Sequence, residues 1–119
     1  METVTGAWVA RGDLVSAHYC VNYALDLMMS ILFALNEEFL PPQKWRIFYS
    51  YSLKWLPKDY ERLVKEAMLV KSLSVQDLER RLLALRETWS QVLSKIREET
   101  CLTPDSMSKL FVEKILQQN

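Results

Sequence analysis

The stretch SVQDLERRLLALRETWSQVLSKI, residues 74–96, decides the fold. Its apolar residues Val75, Leu78, Leu82, Leu85, Trp89, Val92 and Ile96 recur in alternating steps of three and four. Only a helix turns such a spacing into one continuous stripe, here sustained over three heptads. Ser74 and Asp77 ahead of the stripe form a capping-box pattern, in which a hydroxyl and a carboxylate each satisfy an orphan backbone N–H. The helix is predicted to reach about Glu98. The stripe Leu78, Leu82, Leu85, Trp89 and Val92 can face the core of a bundle or join two copies in a homodimer seam. Leu83 and Leu93 widen the apolar face, which suits a bundle better than a two-stranded coil.

Upstream, proline supplies the punctuation at Pro41, Pro42, Pro57 and Pro104. Proline is tolerated in the first turn of a helix, where its missing N–H would be unpaired anyway. A first helix is predicted from Asp13, as N-cap, to Phe39; a second from Pro42 to before Leu56; a third from Pro57 to about Lys71. A last helix is predicted from Thr103, as cap, through Pro104 to about Gln117. No run alternates with period two, so strands are not expected. The expectation is an all-α, antiparallel bundle of about five helices with short connections. It is a single domain over residues 1–119, with residues 1–10 an irregular N-terminal segment.

Lys plus Arg and Asp plus Glu balance at 15 each, so no whole-chain field draws in nucleic acid or an anionic membrane. Half the residues are apolar, enough to build a core without a disulfide or metal staple. Cys20 and Cys101 form no CxxC pair and His18 is the single histidine, so no tetrahedral zinc set exists and no cofactor is expected. The first ten residues have neither a basic start nor a long apolar run, which reads as no signal peptide and a reducing, cytoplasmic setting. The run Leu14 to Leu35 is apolar enough to raise the question of a membrane. It carries Asp26 near its middle, however, which costs about 2.5–3.5 kcal/mol at a bilayer centre. A helix buried in protein is the expected reading.

Within that run His18, Asn22, Asp26 and Ser30 fall four residues apart and line one slowly drifting ridge. The ridge is either a satisfied internal network or the lining of a ligand cleft. Arg11 and His18 also fit the loose Arg-x(4–6)-His spacing of the HEPN ribonucleases, in which histidine moves a proton and arginine holds phosphate. That motif normally opens a late helix, and here it opens the first. Arg11-Gly12-Asp13 spells an integrin tripeptide, read as coincidence. Charge is uneven: residues 1–42 hold five acids and one base, whereas residues 43–71 hold seven bases and three acids. Trp45, Phe48, Tyr49, Tyr51 and Trp55 interleave with those bases. Rings among cations can stack on bases of a single strand; the plainer expectation makes Trp45, Phe48 and Trp55 core anchors beside a solvated face. A phosphate loop, a nucleophile elbow, a metal cluster and paired aspartates are all missing, so the chain is not expected to be an enzyme and no catalytic residue is assigned.

Arg11-Gly12-Asp13, Ala17-His18, Asn22, Leu35-Asn36, Phe39, Pro41-Pro42, Lys44-Trp45 and Trp55-Leu56-Pro57, taken as an ordered set, resemble the helical C-terminal domain associated with nucleotidyltransferase-like proteins. The likeness extends more distantly to the helical half of kanamycin nucleotidyltransferase and covers about Arg11 to Glu98. The Gly-Ser turn and paired magnesium-holding aspartates of that family's catalytic part have no counterpart here. The resemblance therefore implies a non-catalytic substrate-binding or interaction domain that acts with a separate nucleotidyltransferase-like chain. Carried over by position, it implies ligand-binding roles for Arg11, Asp13, His18, Asn22, Asn36, Lys44 and Trp45; Asp26 joins them from the ridge.

Overall fold

The computed structural model describes residues 2–100, and the predicted helix from Thr103 to Gln117 lies outside the described residues. The architecture is all-α. In chain order the helices are α1 (Glu2–Ala10), α2 (Leu14–Leu35), α3 (Arg46–Ser50), α4 (Tyr60–Met68) and α5 (Val75–Thr100), with a 3-10 turn at Gln43–Trp45.

The N-terminal segment is helical, not irregular as expected. α1 packs on α2, with Trp8 and Val9 against the core, because those two side chains find apolar partners there. Gly12 at φ +78 makes the reversal between the helices, a conformation natural for glycine. Asp13 then caps α2 as predicted: its carboxylate accepts from Ser16 N at 2.9 Å and from Ser16 Oγ at 2.7 Å. The Ser16 hydroxyl, first among the causes, holds the Asp13 carboxyl below the usual range.

α2 stops at Leu35, four residues short of the predicted Phe39. Glu37 turns left-handed at φ 57, its N–H donates to Ala34 O at 3.0 Å, and Glu38 N–H donates to Phe33 O at 3.0 Å. This is a Schellman end built on glutamate where glycine is usual. Asn36 then pins the distant Trp55 backbone to this helix end. Its side chain accepts from Trp55 N at 2.8 Å and donates to Trp55 O at 3.1 Å and to Leu32 O at 2.9 Å. With both Trp55 backbone groups spent on Asn36, the second predicted helix cannot run to Leu56. It survives as the 3-10 turn and the five-residue α3, closed by the turns Ser52 N–H to Tyr49 O and Leu53 N–H to Ser50 O.

α4 begins at Tyr60, three residues later than the Pro57 start predicted, after Asp59 in the left-handed region at φ 59. Its C-terminal carbonyls are capped from α5: Arg80 Nη1 donates to Glu66 O at 2.8 Å, Arg80 Nη2 to Leu69 O, and Arg81 Nε to Ala67 O at 2.7 Å. α5 opens on half of the expected capping box. Ser74 Oγ accepts from Asp77 N at 3.2 Å, while the Asp77 carboxylate reaches Lys71 N at 2.9 Å instead of the Ser74 backbone.

The α5 stripe faces inward from Leu78 onward, while Val75 at its start is exposed. Leu78, Leu85 and Val92 are buried, and Leu82, Trp89 and Ile96 pack half-buried on the same core. Within one chain these residues pack towards the core shared with α2 and α4, the core-facing alternative for the stripe. α4 and α5 form an antiparallel hairpin, with Lys58 N bonded to Gln91 Oε1 at one end and Ala67 O to Arg81 at the other. α2 and α5 run in the same direction. Ser74 meets His18 near their starts, and Lys95 lies over Trp55, the residue held by Asn36, near their ends. The bundle is thus not wholly antiparallel, because the connection between them carries α3 and α4.

Ala17, Val21, Leu25, Met28, Met29 and Leu32 of α2 are at most 3 % exposed and form the centre of the core. α2 is long and apolar enough to cross a membrane by length and composition alone, and 44 % of that span is buried inside the bundle.

Candidate functional site: a cleft between α2 and α3

The polar ridge of α2 divides into a buried end and an open end. His18 is 4 % exposed and lies against Arg81, which is 0 % exposed. Arg81 Nη1 donates to His18 Nδ1 at 3.0 Å and to His18 O at 3.1 Å, and its Nη2 donates to Asn22 Oδ1. Because guanidinium can only donate, His18 Nδ1 must accept, so the proton sits on Nε2 and is given to Ser74 O at 3.2 Å. Arg81 thus stitches three helices: α2 through His18 and Asn22, α4 through Ala67, and its own α5. Burial lowers the Arg81 pKa from its usual value, while the nearby Asp77 carboxylate opposes that shift.

Further along the ridge, Asp26 pairs with Arg46 at the start of α3, with Nη1 2.8 Å from Oδ2. Arg46 Nε donates to Pro41 O at 2.9 Å, which ties the Pro41-Pro42 corner to α3. Ser30 Oγ bonds Asp26 O at 3.2 Å and takes no part in a site. Above these groups lies a cleft of about 290 Å³ whose polar lining includes Asn22, Asp26, Gln43 and Arg46. Tyr19 and Tyr23 form its α2 wall with 72 % and 64 % of their surfaces exposed, and Ile47 and Met68 supply apolar contact.

Beside the cleft residues Arg46 and Ile47 in the chain, the 3-10 turn and α3 carry rings in the open. Phe48 is 63 % exposed, Tyr49 49 % and Trp45 44 %. They touch one another at centroid distances of 5.2–6.0 Å, and Lys44 Nζ stands 5.7 Å from the Trp45 ring. The expectation that Trp45 and Phe48 are core anchors is corrected here. α3 is too short to present one face inward across two turns, so these rings stay outside while Ile47 and Ser50 turn in.

Of the residues expected to bind a ligand, the structure brings Asn22 and Asp26 into the cleft and places Lys44 and Trp45 in the adjoining aromatic patch. His18 lies behind the cleft with both ring nitrogens engaged, leaving it no free proton acceptor. Arg11 is at the far end of α2, its guanidinium 5.0 Å over the Trp8 ring, and Asp13 is a helix cap. The Arg11–His18 constellation of a ribonuclease is therefore not assembled. Asn36 serves the Trp55 backbone at the opposite end of α2.

Sequence reasoning missed Tyr19, Tyr23, Arg46, Met68 and Arg81. A signal for Arg81 exists: Asp77, Arg81, Ala84 and Thr88 are spaced four, three and four apart beside the stripe, and all four are buried. Tyr19 and Tyr23 likewise flank the ridge at helical spacing. Arg46 and Met68 reach the cleft through tertiary packing that no local spacing encodes.

Among the described residues no group of three or more His, Cys, Asp or Glu could hold a metal ion. No family model, no curated protein and no solved structure matches the chain. The fold and site define an all-α bundle with an open polar cleft beside an exposed aromatic patch.

Proposed function

We propose that this chain is a non-catalytic helical binding domain that docks on a separate catalytic chain of the nucleotidyltransferase type and helps hold its substrate. The observation that carries this reading is the exposed ring triad Trp45, Phe48 and Tyr49, which flanks the cleft residues Arg46 and Ile47 in the chain. Large contiguous aromatic surface is costly to leave in water, and at interfaces Trp and Tyr supply most of the binding energy. The patch lies in the basic segment, residues 43–71, so an acidic face on the partner is the complement. The resemblance at Pro41-Pro42, Lys44-Trp45 and Trp55-Leu56-Pro57 brackets the same region and supports a nucleotidyltransferase-like partner.

Pull-down with the full chain as bait, beside Phe48→Ser bait, tests the reading. Recovery of a nucleotidyltransferase-fold chain by the first and not the second supports it. Equal recovery by both, or recovery of further copies of this chain alone, overturns it; the latter would move the patch to self-association.

A further inference from the structure

The orientation of one amide gives the cleft a chemical preference. Arg81 Nη2 lies against the Asn22 side chain, and a guanidinium meets only acceptors, so the atom facing it is Oδ1. The amide nitrogen Nδ2 is thereby turned the other way. Asn22 is exposed and lines the cleft, and no hydrogen bond uses its Nδ2 donors among the described residues. Arg46 is placed in the same fashion. Its Nε serves Pro41 O and its Nη1 serves Asp26, leaving Nη2 a donor with no hydrogen-bond partner among the described residues, on a side chain that lines the cleft.

The charges near the cleft do not cancel in pairs. Arg46 is matched by Asp26 and Arg80 by Asp77, each at 2.8 Å. Arg81 is given four neutral acceptors, Ala67 O, His18 Nδ1, His18 O and Asn22 Oδ1, and no carboxylate of its own. Its charge stays on, because guanidinium does not give up its proton in proteins. A buried cation with no hydrogen-bonded carboxylate, its charge offset only by the Asp77 that Arg80 also holds, stands behind Asn22 and favours an anion in the opening. Besides Asp26, which is held by Arg46, and Gln43, the rest of the lining is apolar or aromatic: the Tyr19 and Tyr23 rings, Ile47 and Met68 among them.

We infer that the cleft binds a small oxyanion, a carboxylate or phosphate group, carried on a flat apolar body. The head group accepts from Asn22 Nδ2 and Arg46 Nη2, and the body lies against the tyrosine rings and Met68. As a claim about substrate class this rests on the binding-domain reading above. As a claim about binding it does not, because it is measured on the chain alone and survives the loss of any docking partner.

The test is an NMR titration of the full chain, observing the Asn22 side-chain amide and Arg46 Nε, with three probes: phenyl phosphate, benzoate and uncharged benzyl alcohol. The expected result is saturable movement of both signals with the two anions and none with the alcohol; the tighter anion names the head group. Asn22→Asp is the decisive variant. It keeps an acceptor for Arg81, now charge-assisted, so the fold is retained, while it removes the donor from the cleft and adds a negative charge. It should weaken the anions about tenfold or more. Arg46→Met removes the second donor and should weaken them to a similar degree, which keeps the test decisive if Asn22→Asp does not fold. Equal response to benzyl alcohol, no saturable movement, or unchanged anion affinity in a folded variant would each overturn the proposal.

Discussion

Arg81 and Asn22 orient one another across the α2–α5 interface: the guanidinium selects the amide oxygen, and the amide anchors one arm of the guanidinium. One contact thus links the interior of the bundle to its surface cleft. The consequence for stability is direct. Arg81→Ala leaves acceptors at Ala67, His18 and Asn22 without a donor and opens a cavity where a fully buried side chain stood. A buried acceptor left unpaired costs about 1–3 kcal/mol. The expected loss is about 3–5 kcal/mol in urea unfolding, a large share of a typical domain's stability. A loss below about 1 kcal/mol would mean that water replaces the guanidinium at little cost.

Glu37 offers the opposite sign. It holds a left-handed conformation at the end of α2, which costs a residue with a Cβ roughly 1 kcal/mol and glycine almost nothing. Its side chain is exposed. Glu37→Gly should therefore raise the unfolding free energy by about 0.5–1 kcal/mol, less the extra backbone entropy of glycine in the unfolded chain. A fall in the thermal midpoint would show that the side chain contributes more than the backbone strain removes.

These two residues also mark how far the fold is legible in the sequence. The α5 stripe, the Asp13 cap and the central role of α2 arise from periodicity and capping chemistry, which act over neighbouring residues, and all three are present. The end of α2 and the break in the second predicted helix are not legible. The first depends on a glutamate accepting a conformation that glycine usually signals. The second depends on Asn36 competing for Trp55, 19 residues away in sequence. The ridge is visible as a pattern, but which part opens to solvent is decided by Arg81 and Arg46, whose partners on the ridge lie 20 or more residues distant in the chain. Spacing finds faces; it does not find what covers them.

Leu85→Asp separates the core reading of the α5 stripe from the seam reading. Leu85 is 1 % exposed within a single chain. An aspartate there would be a buried, unpaired charge, so the variant should lose about 4 kcal/mol or more and unfold, instead of yielding a stable folded monomer. Phe48→Ser on α3 is the contrast. Its ring is mostly exposed, so stability should change by no more than about 0.5 kcal/mol while partner capture is lost. Circular dichroism on both variants reads the difference, and a folded Leu85→Asp monomer would return the stripe to the role of a seam.

Asp77 and Tyr60 contribute to the pH dependence of stability with opposite signs. The Arg80 guanidinium, ahead of the backbone N–H groups of Lys71 and Ser72, holds the Asp77 carboxyl down to about 2, against the usual 3.8. Its contribution is complete above the unfolded value and drains away as pH falls from about 4 towards 2. Burial pushes the Tyr60 phenol up to about 12 against the usual 10.0, opposed by the Ser50 hydroxyl 2.8 Å away, which can turn to donate to the phenolate. The unfolded chain then releases that proton first, so stability is intact below pH 10 and declines as pH climbs towards 12, by on the order of 2 kcal/mol. Asp77→Asn should flatten the acid limb of the unfolding midpoint between pH 4 and 2, and Tyr60→Phe the alkaline limb between pH 10 and 12. Tyr60→Phe should also cost about 1 kcal/mol at neutral pH, since Ser50 Oγ keeps its bond to Ile47 O but loses the phenol donor. If the alkaline limb persists in Tyr60→Phe, another group carries it, and the buried phenol has no part in the alkaline unfolding of this bundle.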